Sequence, residues 1–245
     1  MSKSQNGAVV VARDVTRRYG EGDTAVDALR GVSVEIERGK LTAVMGPSGS
    51  GKSTFMHILA GLDQPTSGTV ELAGTEITAL GDDELTRLRR RHIGFVFQFF
   101  NLLPMLTAKE NIALPLAIAG AKPEPGWIEQ LIADVGLADR VGHRPSELSG
   151  GQQQRVAIAR ALVTKPTVLF ADEPTGNLDS ATGQEILRLL REAVDRRGQT
   201  TVIVTHDPRV AAIADRILFL ADGRIVRELR GASSHEVIEA MEQLT

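Results

Sequence analysis

No cysteine occurs among the 245 residues. A disulfide framework and a thiolate metal site are therefore excluded, and a reducing cytosol is compatible with the composition. The formal charge is only −3, so bulk charge supports neither a nucleic-acid binder nor an anionic-lipid binder. Residues 1–7, Met-Ser-Lys-Ser-Gln-Asn-Gly, lack the apolar centre of a signal peptide. The most membrane-like stretch, residues 112–121, is interrupted by Pro115 and falls well short of the ~20 apolar residues that a spanning helix needs. On this reading the chain does not cross a membrane by itself. Internal repeats and low-complexity tracts are also missing.

What remains is ordinary for a globular protein. Hydrophobic residues make up 42% and charged residues 24%, enough for a substantial core in one large domain or two small ones. β-branched residues with partial alternation predict strands over residues 8–15 and 32–37, with a turn-rich loop at Gly20-Glu21-Gly22-Asp23. A short apolar strand over 41–45 runs into a glycine-rich loop, followed by a helix over 53–62 and a strand over 68–72. From residue 82 to about 164 the pattern is mainly helical, and the basic run Arg87-Leu88-Arg89-Arg90-Arg91-His92 reads as the cationic last turn of a helix. Strand and helix then alternate again: a strand over 167–171, a helix over 182–197 opened by a capping box from Thr182 to Glu185, and a strand over 200–205. A hairpin around Asp222-Gly223 joins residues 217–221 and 224–228. Residues 233–243 form a short terminal helix with a box at Ser233 and Glu236. This order predicts an α/β fold, a parallel core interrupted by a helical insertion.

Two segments carry phosphate chemistry. Gly46-Pro47-Ser48-Gly49-Ser50-Gly51-Lys52-Ser53 fits G-x-x-x-x-G-K-[ST] completely. Its glycines let backbone N–H groups curl around phosphate oxygens where side chains would clash. Lys52 brings a cation to the β and γ phosphates, the Ser53 hydroxyl can ligate Mg²⁺, and Thr54 reaches the α phosphate. The helix that follows adds its positive end. Downstream, Val168-Leu169-Phe170-Ala171-Asp172-Glu173 places two adjacent carboxylates at the C-terminal end of an apolar strand, where α/β sheets bind ligands. Phosphoryl transfer asks mainly for positioning and charge neutralisation of this kind.

A third segment is more restrictive. With Leu148-Ser149-Gly150-Gly151-Gln152 ahead of that strand, the order and spacing over residues 9–226 resemble the nucleotide-binding subunit of ATP-binding cassette (ABC) transporters. The resemblance implies a P-loop NTPase with a RecA-like core, an antiparallel β edge and an inserted helical subdomain that carries this signature. It implies a single ATPase domain over 8–230, with core segments 8–93 and 165–230 and the helical subdomain at 94–164. The short helix at 231–245 follows. It also implies roles. Asp172 holds Mg²⁺, and Glu173 polarises the attacking water. Gln98 senses Mg²⁺ and the γ phosphate, His206 contacts the γ phosphate, and Tyr19 stacks on adenine. No such context surrounds His57, His92, His143 or His235, which read as structural or surface residues.

The chain's own phosphate site is complete without the signature. The resemblance therefore implies that Ser149, Gly150, Gly151 and Gln152 close over ATP held by a second copy, with Asp179 of Asn177-Leu178-Asp179 along the same junction. The implied assembly is a homodimer with ATP sandwiched in it. Four of the seven phenylalanines fall within six residues, Phe95, Phe97, Phe99 and Phe100, and apolar residues continue to Leu106; Phe95 and Phe97 alternate as in a core strand, whereas the part beyond Gln98 is harder to bury. Such a run on a soluble chain suggests a partner surface. The resemblance places the coupling element of a separate integral-membrane permease near residues 99–106, with the ATPase on the cytoplasmic face of the membrane. Charged substitution at Phe100 or Leu103 is expected to uncouple that partner.

Further strings, including Pro65-Thr66-Ser67-Gly68, Asn101-Leu102-Leu103-Pro104 and Pro174-Thr175-Gly176-Asn177-Leu178-Asp179, look like the bacterial macrolide-exporter and lipoprotein-release ATPases. That implies export or extraction of a hydrophobic or amphiphilic substrate: a drug, peptide or lipoprotein. Control of cell-wall hydrolysis or division by a mechanotransmitting ATPase is the alternative, and a non-transport soluble ABC ATPase ranks below both. No nucleic-acid partner is expected. Residues 123–127, Pro-Glu-Pro-Gly-Trp, read as a variable loop without an assigned role.

Overall fold

The structure, a computed structural model, describes residues 7–243. Residues 1–6, most of the stretch expected to lack a signal peptide's apolar centre, and residues 244–245 of the terminal segment lie outside the described residues.

Two sheets form the frame. One is antiparallel, in the order β2-β1-β4-β5, built from β1 (Ala8–Tyr19), β2 (Val26–Glu37), β4 (Ser67–Leu72) and β5 (Thr75–Glu76). The other has six strands in the order β10-β9-β3-β8-β7-β6. Its members are β3 (Leu41–Met45), β6 (Ile93–Val96), β7 (Val168–Asp172), β8 (Thr200–Val204), β9 (Arg216–Ala221) and β10 (Arg224–Arg230). Neighbours from β9 through β6 run parallel, and β10 turns back antiparallel on β9.

Strand alternation sorts the six-stranded sheet into two cores. Val44, Val168, Phe170, Val202 and Val204 face the antiparallel sheet and α1 (Lys52–Leu59), whose Phe55, Met56, Ile58 and Leu59 fill the space between the sheets. Leu41, Ala43, Met45, Leu169, Ala171 and Ile203 face the opposite way. They pack beneath α5 (Gly150–Leu162) and α6 (Ser180–Arg197), beside α3 (Ala108–Ala119) and α4 (Trp127–Asp134). The smaller helices α2 (Asp82–His92), α7 (Pro208–Ala211) and α8 (Ser234–Glu242) complete the chain.

Four expectations shift. The two arms of the antiparallel sheet are longer than predicted, twelve residues each. Their outward positions, such as Arg13, Asp14 and Arg30, are exposed and polar, which hides strands from a hydrophobicity pattern. β6 pairs with β7 in the main sheet, so the sheet continues through Val96 and the helical insertion starts beyond it rather than at residue 94. α6 starts at Ser180, because Asp179 caps it by accepting from Ala181 N and Thr182 N; the box at Thr182 does not open this helix. Residues 123–127 do not form a free loop throughout. Trp127 begins α4, and its ring lies between Lys165 and Arg197 at 4.7 and 4.8 Å. The Asp222-Gly223 hairpin and the Ser233–Glu236 box form as expected.

Candidate functional site

β3 is the central strand that delivers the glycine loop. Met45 is buried against β9, and the chain then turns at Gly46, with φ 156°. A Cβ there would collide with Leu220 O and crowd Ser50 Oγ, so only glycine lets the loop pass the neighbouring strand. Gly51, with φ 100°, opens α1 in a left-handed conformation, and Phe55 N donates to its carbonyl at 2.8 Å. Lys52 Nζ folds back to donate to Gly46 O (2.9 Å) and Pro47 O (2.8 Å). Burial draws the Lys52 ammonium below its ordinary pKa, while Glu173 and Asp172 oppose that shift.

Ser48, Gly49, Gly51, Lys52, Ser53 and Thr54 line a cleft of about 590 Å³, and Glu173 and His206 close its far side. Gly46, Pro47 and Ser50 shape the loop from behind. Burial raises the Asp172 carboxyl above its ordinary value, and the Glu173 charge adds to this; His57, a hydrogen bond from Ser53 and Lys52 oppose it. The approach of Asp172 to Ser53 sets two hard oxygen donors side by side.

Glu173 sits just past the end of β7 with φ 44°, a left-handed backbone that is strained for a residue with a side chain. Its N–H donates to Val204 O at 2.9 Å. The carboxylate accepts from His206 N (3.0 Å), His206 Nδ1 (2.7 Å) and Thr205 Oγ1 (3.2 Å). It is largely covered, at 17% side-chain exposure, whereas the His206 ring stands 72% exposed at the rim. The sheet thus brings together residues far apart in sequence: the parallel register of β7 and β8 sets Asp172 opposite Val204.

Other predicted residues lie around this cleft without lining it. Gln98 abuts the turn after Glu173: its carbonyl accepts from Asn177 Nδ2 at 3.0 Å, and its Nε2 faces Gly176. Tyr19 is 41% exposed, with Arg17 over its ring at 4.4 Å. Its hydroxyl donates to Asp63 Oδ2 at 2.7 Å, and Asp63 also pairs with Arg17 at 2.8 Å. Ser149, Gly150, Gly151 and Gln152 form the entry to α5, away from the cleft; Ser149 is exposed, Gly150 and Gln152 are half-buried and Gly151 is buried. There Ser149 accepts from Gln152 N, and Gln152 reaches back to Ser149 N. Gly150 lies beside Leu178 and Phe100, and Asp179 caps α6.

Sequence reasoning missed three participants. His57 on α1 lies close enough to Asp172 to oppose the rise that burial causes in its carboxyl; its place on the helix leaving the glycine loop was the available signal. Asp63 fixes Tyr19, which only the fold reveals. Asn111, fully buried, donates to Leu103 O, Leu106 O and Thr107 O and accepts from Leu103 N, so it braces the apolar loop ahead of α3. In that loop Phe99 (70%), Leu103 (46%) and Met105 (76%) are exposed. Phe100 instead turns toward α5, so it is the poorer choice of the two positions expected to report docking.

A phosphate loop between β3 and α1, faced by acidic residues from the neighbouring parallel strand system, defines a P-loop nucleotide hydrolase. Comparison with known proteins narrows this class. The sequence model of the ABC transporter family matches residues 29–176, and the chain belongs to that family as an ATP-binding, ATP-hydrolysing member. It is 49% identical over 217 residues to the lipoprotein-releasing system ATP-binding protein LolD of Geobacter metallireducens, covering 88% of this chain and 96% of that one. It is 50% identical over 222 residues to the macrolide export ATP-binding/permease protein MacB of Marinobacter nauticus, covering 90% of this chain. The match spans only 34% of the latter protein's length. Among solved structures, the dimeric ATP-binding cassette MJ0796 bound to ADP and Pi superposes with a TM-score of 0.83 at 44% identity, covering 91% of this chain and 99% of that one.

Proposed function

We propose that this ATPase works as the nucleotide-driven subunit of a bacterial exporter or extractor, acting on a separate membrane permease at the cytoplasmic face of the membrane. Its cargo on this reading is a hydrophobic or amphiphilic molecule, as the names of the LolD and MacB relatives suggest. The observation that carries the reading is the shared cleft. A phosphate loop with its lysine forms one wall, and a carboxylate held by His206 and Thr205 forms the other.

In this proposal ATP lies with its phosphates on the N–H groups of residues 46–54 and its base against Tyr19. Lys52 leaves its own loop carbonyls to meet the β and γ phosphates. Ser53, Asp172 and Gln98 would hold Mg²⁺. The adjacent Ser53 and Asp172 oxygens suit that ion, since Mg²⁺ takes few protein ligands and completes its shell with phosphates and water. The ion would neutralise charge on the transferred group. Glu173 orients and deprotonates the attacking water, and His206, exposed at the rim, reaches the γ phosphate. Ser149, Gly150, Gly151, Gln152 and Asp179 present their surface to ATP on a second copy. The head-to-tail homodimer then contains two such sites, a reading the dimeric MJ0796 cassette supports. The exposed Phe99, Leu103 and Met105 receive the permease.

Replacing Glu173 by Gln tests the chemistry. The variant should bind ATP normally and lose ~10²–10⁴ in turnover. Near wild-type phosphate release would refute the role. Because the chain lacks cysteine, cysteines placed at Ser48 and Ser149 test the sandwich. ATP should promote a disulfide between copies in the Glu173→Gln background; its failure to form under any nucleotide condition would overturn the dimer.

A further inference from the structure

Gln154 lies on α5, five residues beyond Ser149, and is fully buried. Its Nε2 donates to Pro174 O at 2.6 Å, while its Oε1 is buried without a hydrogen-bond partner. The amide orientation is dictated, because a carbonyl facing Pro174 O would repel it. A methionine of similar shape would carry no orphaned acceptor and would avoid that desolvation penalty. The half of the amide that is used must therefore matter more than the half that is not.

Its target is the carbonyl of Pro174, in the second peptide beyond Glu173. The left-handed backbone at Glu173 persists only where its surroundings over-determine it. Two backbone bonds contribute, Glu173 N to Val204 O and Gly176 N to Glu173 O. Gln154 adds a side-chain anchor from α5 on one flank of this turn, and the Gln98 amide lies beside Gly176 on another. Two turns along the same helix, Arg160 donates to Phe100 O at 2.9 Å and to Asn101 O at 2.6 Å, fixing the segment after Gln98. One rigid helix thus grips both segments that border the cleft, and its N-cap is the exposed Ser149.

We infer that Gln154 is a positioning residue for Glu173: it holds the Pro174 carbonyl so that the Glu173 carboxylate stays between Thr205 and His206. This rests on the reading of Glu173 as the group that orients the attacking water. Without the anchor, the turn relaxes toward ordinary backbone geometry and the carboxylate swings off its hydrogen bonds. Nucleotide binding on the glycine loop is untouched.

The test uses the full chain and steady-state phosphate release. Gln154→Met, which keeps the shape and loses the donor, should lower kcat about ten- to a hundredfold, the effect expected of an ångström-scale misplacement. Its KM should stay within about twofold of wild type. Gln154→Glu adds a pH signature. Burial drives its carboxyl toward the neutral form, whose O–H can still donate to Pro174 O. Its rate relative to wild type should therefore recover as pH falls. In the Glu173→Gln background, Gln154→Met should cause no further loss, because its effect passes through Glu173.

A kcat for Gln154→Met within twofold of wild type, alongside an impaired Glu173→Gln, overturns the inference and leaves Glu173 in place. An equal fractional loss in both backgrounds also overturns it, by revealing a packing role alone. A fully active Glu173→Gln enzyme removes the reading beneath both. Should Gln154→Met not fold, the pH response of Gln154→Glu decides: a flat ratio to wild type overturns the proposal.

Discussion

Gly151 offers the sharpest test of how α5 is seated. A Cβ at this position would come closer to Thr182 Cγ2 than the 3.0 Å limit that real Cβ atoms respect. Carbon atoms prefer ~3.5–4.0 Å, so Gly151→Ala must push the start of α5 away from α6 by something on the order of an ångström. Thr182 cannot step aside, because its hydroxyl donates to Asp179 Oδ2 at 2.6 Å and its N–H donates to Oδ1 at 3.0 Å. Overpacking of this kind costs about 1–3 kcal/mol, against a helix-propensity gain of at most ~1 kcal/mol. The fold survives with a modest loss of stability. Activity is more sensitive, since a displacement of about 1 Å costs roughly a hundredfold, equivalent to ~2.7 kcal/mol in the barrier. The expected result is wild-type nucleotide affinity, about a hundredfold slower phosphate release, and a slightly lower Tm. Thr182→Ser removes Cγ2 yet keeps the bond to Asp179, so the double variant should regain most of the lost rate. Full activity in Gly151→Ala, or no recovery on adding Thr182→Ser, would refute the steric account.

Three further outcomes follow from the geometry. Burial raises the Asp172 pKa, so its ionised form weighs against the nucleotide-free fold above that value; Asp172→Asn should raise the Tm of the free protein at neutral pH while abolishing hydrolysis. The stability gap should close as pH drops toward the ordinary aspartate value of about 3.9, and a gap independent of pH would contradict the assignment. Tyr19→Ala should weaken ATP binding by ~1–3 kcal/mol, measured by titration, and unchanged affinity would exclude the ring from the base site. Phe99→Asp or Leu103→Asp should leave basal phosphate release near wild type and prevent copurification with the proposed membrane subunit; an intact complex in both variants would move the docking surface elsewhere.

The parts legible in the sequence are those where one backbone path serves one chemistry. Residues 46–54 and the pair Asp172-Glu173 carry their geometry in local spacing, as do the Asp222-Gly223 turn and the Ser233 cap. Elements with one wet face were harder. The antiparallel arms were read short because Arg17 and Arg18 look unlike strand residues, although β1 continues to Tyr19. The alternation of Phe95 and Phe97 points to β6, but the strand has only four residues, Ile93–Val96, and its bounds are blurred by the helical pattern around it. Asp179 caps α6 three positions before the Thr182 cap that the sequence suggested, because its side chain reaches the Ala181 and Thr182 N–H groups. The anchors Gln154, Asn111 and Asp63 were not legible, since each acts on a segment brought near only by folding.

The ammonium of Lys52, resting on Gly46 O and Pro47 O, has a consequence for how the enzyme meets its fuel. A tethered cation props the cradle through its own main-chain oxygens, so the loop's curve is braced from within and a nucleotide need only draw that charge across.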